Sequence, residues 1–347
     1  MTTTGLVYDF RSDNVGGVAP ELLEAIAAAN VGAAAPYGDD DWSHAMSERF
    51  RARFEHPGLV AIPVATGTGA NSVALAALAN PYGAIYCHES AHINVYECGA
   101  PELFTGAKLV ALSGAGYKLH AAELDEALAL AGRGDPTRVQ PFALNITQPT
   151  DFGTLYTVAE ITALSAVAHR HGLKVHLDGA RFANAIAALG CTPAEMTWRA
   201  GIDIVSFGAT KNGAMMAEAI VAFDAESAAQ LPFMMKRCGQ VVSKARFISA
   251  QLERYLADDR WLARARQANA AAAALASRLQ SIAGVELVAG VEINMLFVRL
   301  PEAAVAALDR GPFSYYKLGY KQRFVCRHDQ EPAGIDLLVR TIQEAVT

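Results

Sequence analysis

Cysteine is scarce and unpatterned in this chain. Its five residues, Cys87, Cys98, Cys191, Cys238 and Cys326, are odd in number and show no C-x-x-C spacing. A disulfide framework is set aside, and free thiols in a reducing cytoplasm are expected. Positive charge is also in deficit, with 29 Lys and Arg against 35 Asp and Glu and a net charge of −6. That balance argues against nucleic acid as a partner, since such proteins carry a basic footprint. No apolar run reaches about 18 residues, so no membrane span is expected. The opening M-T-T-T-G-L-V-Y-D-F-R has no basic segment and no apolar core of a leader, so no signal peptide is expected. Internal repeats and low-complexity linkers are missing too, and the alanine-rich runs follow helical periods.

Apolar residues, by contrast, are plentiful. They make up 52% of 347 residues, enough for a large domain of about 250 residues and a smaller one of about 100. The expected division is an arm at 1–15, a large unit at 16–250 and a small C-terminal unit at 251–347. Between 59 and 223, short β-branched runs alternate with helical periods. This pattern predicts an α/β fold, a mostly parallel sheet with helices on both faces. Beyond it the chain turns helical at 224–257 and again at 261–282. Strands at 285–288, 292–299 and 322–327, with helices starting near 301 and 333, predict an α+β cap.

Three stretches carry chemistry. In 201–223, G-I-D-I-V-S-F-G-A-T-K-N-G-A-M-M-A-E-A-I-V-A-F, Lys211 sits in a small-residue loop between two runs that read as buried strands. A desolvated lysine loses its proton readily, and a neutral amine can form a Schiff base with a carbonyl. A surface lysine in a hairpin turn is the other reading. In 173–182, L-K-V-H-L-D-G-A-R-F, Asp178 ends a strand. Ligands of open α/β sheets sit at such ends, and a carboxylate there can keep a pyridinium nitrogen protonated, as pyridoxal phosphate requires. Asp178 could equally cap the helix that follows. In 66–71, T-G-T-G-A-N, an apolar run gives way to a helix start where Gly67, Thr68 and Gly69 can cradle a phosphate. A dinucleotide would use a similar cradle. Gly67-x-Gly69 begins G-x-G-x-x-G, although Ser72 takes the third place, and Glu89 falls about 20 residues on, where a ribose-binding acid stands.

The histidines divide. His169 and His171 close a helix at 157–171 and read as structural, since cations favour a helix C-terminus. His176 forms H-x-D with Asp178 on one strand face, but no third ligand lies nearby, so a metal is not expected. His92, in E-S-A-H, stands alone and has no local assignment.

Phosphate loop, strand-end Asp-x-x-Arg and loop lysine, in this order and spacing, resemble the fold-type I pyridoxal phosphate enzymes. The detailed wording is closer to one family. R-S-D-N at 11–14, Y-G-D-D at 37–40, G-T-G-A-N at 67–71, E-S-A-H at 89–92, E-C-G-A-P-E at 97–102, L-D-G-A-R at 177–181 and F-G-A-T-K-N-G at 207–213 all look like the low-specificity L-threonine aldolases. The resemblance implies pyridoxal 5'-phosphate joined to Lys211, with Asp178 on the ring nitrogen, Gly67, Thr68 and Gly69 on the phosphate and His92 stacked on the ring. It implies that Ser12, Arg181 and Arg323 fix the substrate carboxylate, with Arg327 the competing candidate nearby. Tyr37 is expected to line the site near a neighbouring subunit, and 236–246 to bring basic residues to a subunit contact in a homotetramer. Many relatives carry histidine where this chain has Gln148, which is expected to hydrogen-bond the substrate hydroxyl or aldehyde. His92, directly or through water, is the candidate base. The implied reaction cleaves L-threonine, L-allo-threonine and related β-hydroxy-α-amino acids to glycine and an aldehyde. Its rivals are another chemistry on the same cofactor, such as β-elimination or transamination, and a dinucleotide-binding protein.

Overall fold

The structure, a computed structural model, describes residues 7–347. Residues 1–6 of the expected arm lie outside the described residues. The strands, in chain order, are β1 (Tyr8–Asp9), β2 (Val60–Val64), β3 (Gly83–His88), β4 (Lys108–Leu112), β5 (Gln140–Thr147), β6 (Lys174–Gly179), β7 (Ile204–Gly208), β8 (Glu218–Ala222), β9 (Glu286–Leu287), β10 (Met295–Arg299), β11 (Phe313–Ser314), β12 (Tyr316–Leu318) and β13 (Lys321–Val325). Seven of them form one sheet in the order β2-β8-β7-β6-β5-β3-β4. Neighbours run parallel except at β8, which is antiparallel to both β2 and β7. Strands β7 and β8 are buried at every residue. A strand covered on both faces has no wet side, so its sequence is a continuous apolar run and not an alternation.

The helices that bear on the site are α1 (Pro20–Ala29), α2 (Asp41–Arg53) and α3 (Gly67–Leu78). Helix α2 begins two residues before the apolar period over 43–56 suggests. Asp40 is its cap, with Oδ1 accepting from the Ser43 N–H at 2.9 Å, which satisfies an otherwise orphaned donor. Met46, Phe50 and Phe54 of its inner face are fully buried against Phe182 and Phe207.

A second core lies under the antiparallel sheet β12-β13-β10-β9. The long helix Arg260–Gln280 spans both cores: Trp261 and Ala265 pack in the first, and Ala272, Leu275 and Leu279 in the second. The N-terminal segment joins the second core through Phe10, and β1 pairs in parallel with β11. Residues 11–14 are thereby carried to the edge where β5, β6 and β7 end. Register aligns that edge: Thr147 pairs with Asp178, and Asp178 with Ser206.

Candidate active site

One cleft of about 560 Å³ opens at this edge, within the size range of small-molecule sites. Its wall includes Ser12, Thr68, His92, Asp178, Arg181 and Lys211, with Arg323 from the small sheet closing over them. The three stretches singled out by sequence therefore meet in space.

Asp178 is 3% exposed and each of its oxygens has a donor: Asn71 Nδ2 at 3.1 Å on Oδ2 and the Ala180 N–H at 3.1 Å on Oδ1. It does not cap the following helix, which begins only at Phe182 with Arg181 in the cap position. Its carboxylate is held toward the cleft instead. Lys211 lies in a short 3-10 turn, Thr210–Asn212, ended by Gly213 in the left-handed region at φ 100°, a conformation glycine adopts without a Cβ penalty. It is partly buried and lines the cleft, so the hairpin-surface alternative does not hold.

At α3, Thr66 is the cap. Its hydroxyl accepts from the Gly69 N–H at 3.1 Å and its carbonyl from the Ala70 N–H at 3.0 Å. The N–H groups of Gly67 and Thr68 have no partner within the helix, and both residues line the cleft. Gly69 is a correction. It is not part of the wall, its N–H is already used by Thr66, and its Cα faces the side chain of Gln240, only 2.5 Å from where a Cβ would stand. Glu89, the acid a dinucleotide would need, is exposed and outside the cleft.

His92 lines the cleft with its Nδ1 2.8 Å from Glu97 Oε1. That oxygen also accepts from Asn71 Nδ2 at 2.8 Å, and a carboxylate oxygen only accepts, so Nδ1 is the donor. Burial lowers the His92 pKa, but the hydrogen bond to Glu97 and the charges of Asp151 and Asp178 outweigh it and leave the pKa raised. His176 is a satisfied core residue, bonded to Asn145 Oδ1 at 2.7 Å and Ser206 Oγ at 2.9 Å. Burial takes its pKa down to about 4.

The arginines sort themselves. Arg327 is occupied by Asp329 at 2.8 Å and the Asp9 carbonyl at 3.2 Å, and it does not line the cleft. Arg323 does. It donates from Nη2 to the Arg11 carbonyl at 3.0 Å, while its buried Nε has no partner among the described residues. Burial and the nearby charge of Arg181 both push its pKa down, a cost that an incoming carboxylate would relieve. Arg181 is not free in the way the sequence suggests. Asp13 takes its fork, Nε to Oδ2 at 2.7 Å and Nη2 to Oδ1 at 3.0 Å, and Asn294 Nδ2 adds a third bond to Asp13 at 3.0 Å. Burial alone would raise the pKa of Asp13, but Arg181 brings it below the usual carboxylate range. Ser12 stands at the rim, its hydroxyl accepting from the Asn14 N–H at 3.2 Å.

Two further expectations need correction. Gln148 does not reach the cleft. It is fully buried, and both ends of its amide are bonded to the backbone of Tyr156, Nε2 to the carbonyl at 2.8 Å and Oε1 from the N–H at 3.0 Å. Thr147 and Pro149 on either side line the wall, while Gln148 points into the core. Tyr37 is 64% exposed and belongs to a separate groove with Met46, Pro232 and Met235.

Sequence reasoning assigned nothing to Asp13, Glu97, Asp151 and Glu218, although the first two lie in the quoted R-S-D-N and E-C-G-A-P-E. Asp151 and Glu218 both line the cleft. Glu218 accepts from the Ala209 N–H at 3.1 Å, and burial lifts its pKa to about 7.

Buried polar atoms on this wall without a partner among the described residues (Asn71 Oδ1, Glu97 Oε2, Asp151 Oδ2 and Arg323 Nε) mark a site made for a polar ligand. A carboxylate for a ring nitrogen, an amine, and free N–H groups at a helix start are together the donor set that pyridoxal phosphate needs. The fold and this set define a pyridoxal phosphate enzyme of fold type I. An aspartate aminotransferase from Rhodobacter sphaeroides has the same fold, with a TM-score of 0.73 at 18% identity, covering 99% of this chain and 93% of that one. A model of the beta-eliminating lyase family matches residues 9–302. A low specificity L-threonine aldolase from a Pseudomonas strain is 41% identical over 97% of this chain and 98% of its own. The solved threonine aldolase from Leishmania major superposes with a TM-score of 0.92 at 26% identity, covering 98% of this chain and all of that one. The chain belongs to the beta-eliminating lyase family and, within it, to the low-specificity L-threonine aldolases.

Proposed function

We propose that this lyase cleaves L-threonine, L-allo-threonine and related β-hydroxy-α-amino acids such as phenylserine to glycine and an aldehyde. The observation that carries the proposal is the meeting of Lys211, Asp178 and the open start of α3 in one cleft, with Arg323 at its rim. Pyridoxal phosphate bound there supplies an electron sink for the charge left at Cα when the Cα–Cβ bond breaks.

The residues divide the rest of the work. Lys211 would hold the cofactor through its amine, Asp178 would accept from the ring nitrogen, and Gly67 and Thr68 would donate to the phosphate. His92, oriented by Glu97, would hold the cofactor ring from the cleft wall. Arg323 and Ser12 bind the substrate carboxylate. Arg181 contributes the positive charge that its pairing with Asp13 fixes in place. Holding the carboxylate sets which bond at Cα lies across the ring, and so which bond breaks.

A homotetramer is supported by the apolar groove around Tyr37 and by the exposure of Phe233 and Met216, since exposed apolar patches mark contacts. A second copy seated there would bring Tyr37 toward a neighbouring site. The five cysteines are all unpaired, which supports a reducing, cytoplasmic setting.

A substrate panel tests the activity. Glycine with acetaldehyde from L-threonine and L-allo-threonine, and glycine with benzaldehyde from phenylserine, is the expected result. Pyruvate and ammonia from serine, with threonine left intact, would replace aldol cleavage by β-elimination.

A further inference from the structure

Many relatives carry histidine at position 148, and this chain has there a glutamine that faces the core. Three residues on, Asp151 lines the cleft. The chain turns over residues 148–154 through a dense set of bonds: the Thr150 N–H to the Thr154 carbonyl at 2.9 Å, the Gly153 N–H to the Thr150 carbonyl at 2.9 Å, and the two threonine hydroxyls to each other at 2.8 Å. The Thr154 hydroxyl reaches on to the Gly116 carbonyl at 2.8 Å. Gly153 permits the turn, at φ 81° and with Met295 Cγ only 3.0 Å from where a Cβ would be. Phe152 is stacked on Tyr117 at 3.7 Å between centroids, with Lys321 Nζ 4.1 Å from its ring centre. The loop is therefore fixed on both sides of Asp151, and it presents that carboxylate to the cleft.

Asp151 Oδ2 is shut off from solvent and has no hydrogen-bond partner among the described residues. A buried acceptor left unmade costs about 1–3 kcal/mol, so such an atom is kept where a ligand completes it. The charged groups that bear on it are His92, Asp178, Arg181 and Lys211, drawn from three segments of the cleft wall.

Resting on the aldolase reading above, we propose that Asp151 is the group that takes the proton of the substrate β-hydroxyl. The Asp151 carboxylate accepts that proton while the Cβ–O bond becomes a carbonyl and the Cα–Cβ bond breaks, leaving its electron pair at Cα. The aldehyde departs, Cα takes up a proton, and Asp151 returns its own to water. The step is redox-neutral and needs no co-reactant. His92 is the weaker candidate, because Glu97 raises its pKa and holds it toward the charged form, whereas a base must stand deprotonated. Burial lifts Asp151 to about 6 against the pull of His92, close to the range where a general base works best.

The test uses the holoenzyme and Asp151→Asn, an isosteric change. Two reactions are followed: cleavage of L-threonine, and exchange of a glycine α-hydrogen with deuterium from solvent, which involves no hydroxyl. The expected result is a fall of about 10²–10⁴ in kcat for cleavage, with glycine exchange and the absorbance of the bound cofactor near wild type. In the wild type, cleavage should rise with pH through about 6, and that limb should be gone in the variant. Cleavage at the wild-type rate in Asp151→Asn overturns the assignment, and so does equal loss of exchange and cleavage. A wild type that exchanges glycine but leaves threonine whole overturns the aldolase reading, and Asp151's role with it.

Discussion

Two carboxylates enter this cleft from neighbouring strands, Asp178 at the end of β6 and Asp151 in the loop after β5, and the protein treats them in opposite ways. Asp178 has a donor on each oxygen. Asp151 Oδ2 has none among the described residues, and both burial and the charge of Asp178 act to raise the Asp151 pKa, to about 6. Donors on both oxygens fix the Asp178 carboxylate in place, whereas a buried acid without them is suited to exchange a proton. The same wall thus has an end shaped for the cofactor and an end shaped for the substrate. What separates them is hydrogen bonding, since the side chains are chemically identical.

The largest break in this comparison comes from the amine that shares the cleft with both acids. Lys211→Ala should abolish turnover while circular dichroism shows an intact fold; retained cleavage would remove the Schiff-base role. Next is Asp178→Asn, which keeps the shape and removes the charge. Cleavage and glycine exchange should both fall by about 10²–10³ or more, and near-normal rates would show that the ring nitrogen does not depend on it.

Such effects were legible in advance for one end of the cleft and not for the other. Asp178, Lys211 and the T-G-T-G turn are set by local pattern: apolar runs make the strands, and their ends fall at the sheet edge whatever the distant chain does. The substrate end depends on contacts that no local pattern encodes. Arg181 meets Asp13 across 168 residues and Asn294 meets it across 281. Gln148 is expected in the cleft only because many relatives carry histidine there, and the backbone of Tyr156 turns it inward. Asp151 has no sequence signal beyond its place in Q-P-T-D-F-G.

Smaller changes sharpen the division. Arg323→Lys should lower kcat/KM for threonine by about 10–100-fold, the scale of one charged hydrogen bond, mainly through KM. Arg327→Lys should change it little, because Arg327 is engaged with Asp329 outside the cleft. Comparable losses in the two variants would return Arg327 to the site. Gln148→Ala should act on stability. Two buried bonds to Tyr156 are lost, at a cost of about 1–3 kcal/mol visible in a urea melt, with KM for threonine nearly unchanged. A large rise in KM without loss of stability would place Gln148 on the substrate after all.

The most direct measurement sets the two acids side by side, comparing deuterium uptake into glycine and cleavage of threonine in Asp178→Asn and Asp151→Asn holoenzymes. The expected result is that the first variant loses both reactions and the second loses cleavage alone. If both variants lose both reactions in the same proportion, the two carboxylates do one task between them, and the division of the cleft into a cofactor end and a substrate end is wrong.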